Sequence, residues 1–209
     1  MRNLSGSLLL LLISIYCSAQ EWKVGEVRFN NGESEILQFK LNHYLFEGSI
    51  IIQNQERQYT FTPEQIQSFE FEDLQGKTHL YRSLLLEVEG LQRPKKHFLE
   101  VLHEGTISLY RHTWDLPKNA YKASSPENVV TKEILIAGKP EATLFPITDW
   151  AYYNPGRTHF PGSKKKRLLQ SMGVLKPQIK DFAKSSNLSY SRLPDLIAIL
   201  SYYDDLSNL

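Results

Sequence analysis

The chain has 209 residues, 41% of them hydrophobic and 22% charged, a balance that excludes a disordered polyelectrolyte and fits an ordinary globular protein. Its 24 Lys and Arg side chains stand against 23 Asp and Glu, so no global field steers it to nucleic acid or to an anionic membrane. The single cysteine excludes an intrachain disulfide.

The amino end reads Met1-Arg2-Asn3, then an apolar run from Leu8 to Ile15 interrupted by Ser14, then Cys17-Ser18-Ala19-Gln20. A basic start, an apolar centre and small residues before the cut are the three parts of a secretory signal peptide, expected over residues 1–19 with the mature chain starting near Gln20. The run is too short for a bilayer, which takes about 20 apolar residues, and nothing later in the sequence approaches a span. Cys17 offers one rival, acylation as a bacterial lipoprotein, but Tyr16 stands where such a signal carries a small residue. Cleavage after Ala19 leaves a mature chain with no cysteine, and therefore no thiol nucleophile or cysteine metal site. It also leaves 23 basic against 23 acidic side chains.

From Trp22 to about Ile147 apolar residues recur with period two between turn residues, the pattern of an antiparallel sheet. Val27 and Phe29 lead into Asn30-Asn31-Gly32 and out to Leu37, Phe39 and Leu41, a first hairpin. Glu47-Gly48 starts a second, with strands over 49–53 and 58–61. Thr62-Pro63-Glu64-Gln65 carries a hydroxyl cap and an early proline, so it reads as one helical turn. Phe69 and Phe71 alternate, 73–76 turns the chain, and 78–88 forms a long strand. Phe98 to His103 turns at Glu104-Gly105 into Thr106 to His112, with Ile107 and Leu109 on one side and Ser108 and Tyr110 on the other. A last hairpin joins 129–136 to 141–147 around Gly138-Lys139-Pro140.

After Trp150 the period changes. Two prolines and two glycines fall within 150–162, marking a linker or docked loop. Ser163 caps a helix through about Met172, closed by Gly173; Pro177 opens a second that stops near Asn187. Ser191 caps a third, in which Leu193, Leu196, Ile197, Leu200 and Tyr203 follow a half-buried helical stripe. The expected class is α+β: a mainly antiparallel body of hairpins over 20–148, a linker over 149–162 and a helical segment over 163–209.

The Ser18-Ala19-Gln20 start, the Phe98-Leu99-Glu100-Val101-Leu102 strand turning at Glu104-Gly105 into Ser108-Leu109-Tyr110, and the Leu200-Ser201-Tyr202-Tyr203-Asp204 end together resemble uncharacterised exported proteins of Bacteroidota. In such proteins the closing aromatic pair is usually followed by Asn, where this chain has Asp204. The resemblance implies an envelope location, periplasmic, outer-membrane-associated or extracellular, and no particular chemistry.

Among catalytic patterns, pairing about Glu104-Gly105 sets 103 opposite 106 and leaves His97 beside His112, a two-histidine set that Glu100 could complete as the centre of a small hydrolase or lyase acting on envelope polymers. The alternative is that both histidines are solvated edge residues. Two histidines fall short of the usual zinc ligand set, so no metal and no cofactor is implied. Ser163-Lys164-Lys165-Lys166 satisfies Ser-x-x-Lys without the companion motifs, and helix capping accounts for Ser163. No nucleophile elbow, zincin, phosphate-loop or dinucleotide motif is present. Lys164, Lys165, Lys166 and Arg167, close in sequence to Trp150, Tyr152 and Tyr153, offer a basic, aromatic surface to a glycan or polyanion, or else solvate a loop that the aromatics pin. The expectation is an exported envelope protein acting as a non-catalytic interaction or structural module. Its partner is then an envelope protein or glycan, not nucleic acid.

Overall fold

The computed structural model describes residues 22–43, 48–86, 95–117, 129–138, 144–146 and 164–208. The expected signal peptide with Cys17, the loop carrying Trp150, Tyr152 and Tyr153, the Ser163 cap, and the turn after Gly138 lie outside these residues. Among the described residues ten strands precede the helices: β1 (Lys23–Phe29), β2 (Ser34–Asn42), β3 (Ser49–Asn54), β4 (Arg57–Phe61), β5 (Ile66–Glu72), β6 (Thr78–Leu86), β7 (Lys95–His103), β8 (Ser108–Pro117), β9 (Val129–Gly138) and β10 (Phe145–Pro146). Three helices follow: α1 (Lys164–Ser171), α2 (Lys176–Ser185) and α3 (Leu193–Ser207), with a 3-10 turn at Gly173–Leu175 between the first two. The class is α+β, mostly antiparallel sheet with a helical carboxyl end. Among the described residues no helix is long and apolar enough to cross a membrane.

The strands form one sheet in the order β10-β9-β8-β7-β6-β5-β1-β2-β3-β4. Local turn chemistry makes each hairpin. Gly32 takes a φ of 91° in the β1–β2 turn, and the Asp73 carboxylate accepts the Gln75 and Lys77 N–H groups, both at 2.9 Å, in the β5–β6 turn. At 62–65 the Thr62 carbonyl accepts the Gln65 and Ile66 N–H groups at 3.0 and 3.3 Å, while Gln65 Oε1 accepts the Thr62 N–H at 3.0 Å and the Thr62 hydroxyl at 3.3 Å, so this is a single turn closed by the Gln65 side chain and not by a Thr62 hydroxyl cap.

That turn dictates the shape. β4 and β5 are four strand spacings apart in the sheet order, roughly 19 Å if the sheet were flat, yet a compact four-residue turn joins them. The sheet must roll. Phe61 of β4 accordingly meets Phe29 of β1 edge to face at 5.5 Å. His43, just past β2, accepts the Asp115 N–H on its carbonyl at 2.7 Å and bonds the Thr113 carbonyl through Nδ1 at 3.2 Å, although β2 and β8 are five positions apart.

The rolled inner face buries Val27, Phe39, Ile50, Ile52, Phe69, Phe71, Tyr81 and Phe98 in an aromatic core. Further along the same face, Leu109 and Ala137 pack under the helices with Leu168, Leu169, Ile179, Leu196, Ile199 and Leu200. The opposite face of β6–β9 holds a third cluster around Leu99, Tyr110, Trp114, Ile134 and Ile136.

Two further sequence expectations are corrected. The β7–β8 connection is wider than a tight turn, with His103 opposite Leu109 instead of Thr106. The reason is tertiary: Asp204 of α3 accepts the Thr106 N–H at 2.8 Å and meets His103 Nε2 at 2.7 Å, drawing residues 104–107 out of the ladder. A side chain at 105 would push Asp204 out of this contact, because a Cβ would lie 1.9 Å from Asp204 Oδ2. The third helix begins with Arg192 at its cap and makes no side-chain cap bond, so Ser191 does not cap it. Asp195 instead accepts the Ser189 N–H and the Arg192 guanidinium, both at 2.7 Å.

Two outcomes follow. Gly25 lets β1 approach β5 so closely that a Cβ would sit 1.9 Å from the Glu70 carbonyl oxygen, a backbone atom that cannot rotate away. Gly25→Ala should lower stability in urea by about 1–3 kcal/mol, and an unchanged midpoint would show that β1 does not seat this closely. Burial holds the His43 pKa below 6.5, against a smaller opposing pull from Asp115. The unfolded chain therefore binds this proton first, and the stability tied to the ring is whole above pH 6.5 and declines as pH falls below it. The stability gap between wild type and His43→Asn should be wider at about pH 7.5 than at about pH 5.5. A gap constant with pH would mean that the ring is solvated.

Candidate functional site

Crossing the inner face, between the aromatic core and the helix-covered end, is a row of charged side chains drawn from neighbouring strands. It starts in the β5–β6 turn, where Asp73 Oδ2 meets His79 Nε2 at 3.0 Å. His79 Nδ1 meets Glu100 Oε1 on β7 at 2.8 Å. Arg111 on β8 donates to Glu100 Oε2 from both Nε, at 2.8 Å, and Nη2, at 2.6 Å. Its Nη1 lies 3.8 Å from Glu133 Oε2 on β9.

Register explains the convergence. Glu100 pairs with Tyr81 on one side and Arg111 on the other, while His79 pairs with Phe71, so alternation turns all of them to one face. Glu100 is 3% exposed, a burial tolerated because both of its oxygens are bonded to cationic or polar partners. His79 faces a carboxylate from each ring nitrogen, and only the doubly protonated ring donates to both. The ring also stacks on Phe71 at 5.2 Å, and Lys23 Nζ lies 5.7 Å from that phenyl centroid.

The field of the row shows in its neighbours. His79 and the Lys77 N–H hold the Asp73 carboxyl below its ordinary value. Burial pushes the Tyr81 phenol up, and the Glu100 charge adds to the shift.

Of the residues singled out in sequence, His97 and His112 do come together, with ring centroids 5.1 Å apart and planes at 79°. Their surroundings are not those of solvated edge residues: they are 0% and 2% exposed, and His112 stacks on Trp114 at 5.3 Å. Glu100 does not join them. Three residues along an alternating strand reverse the side, so Glu100 lies on the inner face with Phe98 while His97 lies with Leu99 on the other. Among the described residues no group of three or more His, Cys, Asp or Glu is placed to hold one metal ion.

Lys164 opens α1, and Lys165, Lys166 and Arg167 are exposed in its first turn, which contains no acid. Lys165 Nζ lies 4.5 Å from the Tyr190 ring centroid. Trp150, Tyr152 and Tyr153 lie outside the described residues, so the basic half of the expected surface is seen without its aromatic half.

Sequence reasoning missed His79 and Arg111. A turn at 73–76 sets Phe71 opposite Thr78, whereas the ladder is one residue wider and pairs Phe71 with His79. What spacing could not supply was the β6–β7 register, because eight residues separate the two strands and Glu89-Gly90 does not by itself say how many of them the connection takes. Comparison with protein-family models, with curated proteins and with solved structures finds no match to this chain.

With both oxygens of Glu100 and both nitrogens of His79 engaged internally, the row acts as an electrostatic staple across β6, β7 and β8. Glu100→Ala strands the Arg111 guanidinium and a His79 ring nitrogen and should destabilise the fold by about 3–5 kcal/mol in urea titration, against less than about 0.5 kcal/mol for the exposed neighbour Glu72→Ala. Equal, small effects would sink the staple.

Proposed function

We propose that the mature chain is an exported, non-catalytic interaction or structural module of the bacterial envelope. One observation carries this reading. Among the described residues, the acid–base candidates named above are engaged within the architecture: Glu100 and His79 bond each other and their neighbours across the sheet, and His97 and His112 are packed in a core on the other face. A general base needs a lone pair aimed at a substrate proton, whereas both Glu100 oxygens and both His79 nitrogens are turned toward partners inside the sheet.

Export is supported by the order of Arg2, the apolar run Leu8 to Ile15 and the small residues before Gln20. A cysteine-free mature chain suits an oxidising compartment.

Purified mature chain incubated with peptidoglycan and capsular polysaccharide should release no soluble fragments over a long incubation. Fragment release that disappears in His79→Gln, with the fold intact by circular dichroism, overturns the non-catalytic reading. Intact-mass analysis of native material should find residues 1–19 gone and the product in the envelope fraction. Retained Met1 on a cytosolic product overturns the export half.

A further inference from the structure

From residue 164 onward the described chain carries eight basic and four acidic side chains, whereas residues 20–163 carry 15 basic and 19 acidic. The neutral mature chain is therefore polarised, with a surplus of four positive charges on the helices and four negative on the remainder. Two of the four helical acids turn inward, Asp195 onto Arg192 and Ser189 and Asp204 onto His103 and Thr106. The outward surface is more basic than the count alone.

Part of that surplus is ordered. Lys176, Lys180 and Lys184 of α2 are spaced four residues apart, which aligns them along one side of the helix at about 6 Å intervals over about 12 Å. The apolar side of α2 is elsewhere, with Ile179 and Ala183 in the core. Lys180 and Lys184 are exposed, Lys176 is half-buried, and the three ammonium groups make no ion pair among the described residues. Like charges four apart repel and weaken a helix, so the stripe works against the element that carries it. Its length exceeds the ~8 Å Debye length at physiological salt, so a ligand lying along it meets the local charge and not the neutral average.

We infer that this stripe, with the exposed cations of α1 beside it in the chain, is a docking surface for an anionic polysaccharide. The choice of polysaccharide rests on the export proposed above, since the linear polyanions outside the cytoplasm are chiefly glycans. A membrane surface fits less well. Interfacial helices bury an apolar face, and the apolar face of α2 is occupied, leaving Val174 as the exposed aliphatic at the α1–α2 corner. A second copy of the chain also fits less well. Several acids of the sheet are already committed within it: Glu26 to Arg28, Glu104 to Arg82 and Glu100 to Arg111.

The test uses the full mature chain with heparin as the probe, neutral dextran as the uncharged control and vesicles containing phosphatidylglycerol as the lipid control. Wild type should bind heparin at low salt, with affinity falling as salt rises, and should ignore dextran. Replacing Lys176, Lys180 and Lys184 together by Gln should weaken heparin binding by about tenfold or more, whereas replacing Arg57, Lys77 and Lys95 of the strands and the β5–β6 turn by Gln, an equal change in net charge, should weaken it less than about twofold. Replacing the three α2 lysines by Arg should retain binding. The inference is overturned by no heparin binding, by equal losses in the two triple variants, by vesicle binding as strong as heparin binding, or by self-association at low salt that the α2 variant abolishes. Each of those results leaves the non-catalytic reading to the fragment-release assay.

Discussion

Four residues join β4 to β5 although three strands separate them in the sheet, and that short connection obliges the sheet to roll. A rolled antiparallel sheet has an inside without needing a second layer. Phe39, Phe69, Phe71, Tyr81 and Phe98 fill it, with Phe69 and Tyr81 stacked at 4.7 Å and Phe39 and Phe98 set edge-on to Phe69. Gly25 belongs to the same constraint, since β1 could not come so near β5 with a side chain there.

The rolled aromatic core ends where the row from Asp73 to Glu133 begins, and the helices take over the inner face beyond it. A buried carboxylate adds little net stability when paired and costs much when stranded. Its value here is in register. A slip of one residue between β7 and β8 would turn Arg111 to the opposite face and leave Glu100 buried without its partner, so the row penalises the wrong pairings more than it rewards the right one.

The helices are held by apolar packing and by a polar clasp at the end of α3. Asp204 reaches back across a sequence separation of 101 residues to His103, and the loop at 104–107 gives up its own ladder to meet it. The polarity of the molecule follows from this arrangement. Acids that are needed to dock or start α3 point inward, and Lys165 and Lys166 of α1 and Lys180 and Lys184 of α2 are exposed.

Much of the fold was legible in the residues. Asn30-Asn31-Gly32, the Asp73 to Gly76 turn and the alternation of Phe69 with Phe71 are local signals, and a hairpin is decided within about a dozen residues by turn geometry and side-chain alternation. The helical stripe of Leu196, Leu200 and Tyr203 and the stop at Asn187, which adopts a φ of 53°, are equally local. The candidate site was legible only in fragments. Spacing brought His97 near His112 but could not say that the pair would be buried, because burial depends on what packs over β6–β9. It named Glu100 but placed it with the wrong histidines, since the true partners, His79 and Arg111, are set by the β6–β7 and β7–β8 registers. Those registers answer to Asp204 and to the rolling of the whole sheet, which act at separations over which no periodicity in the sequence carries information.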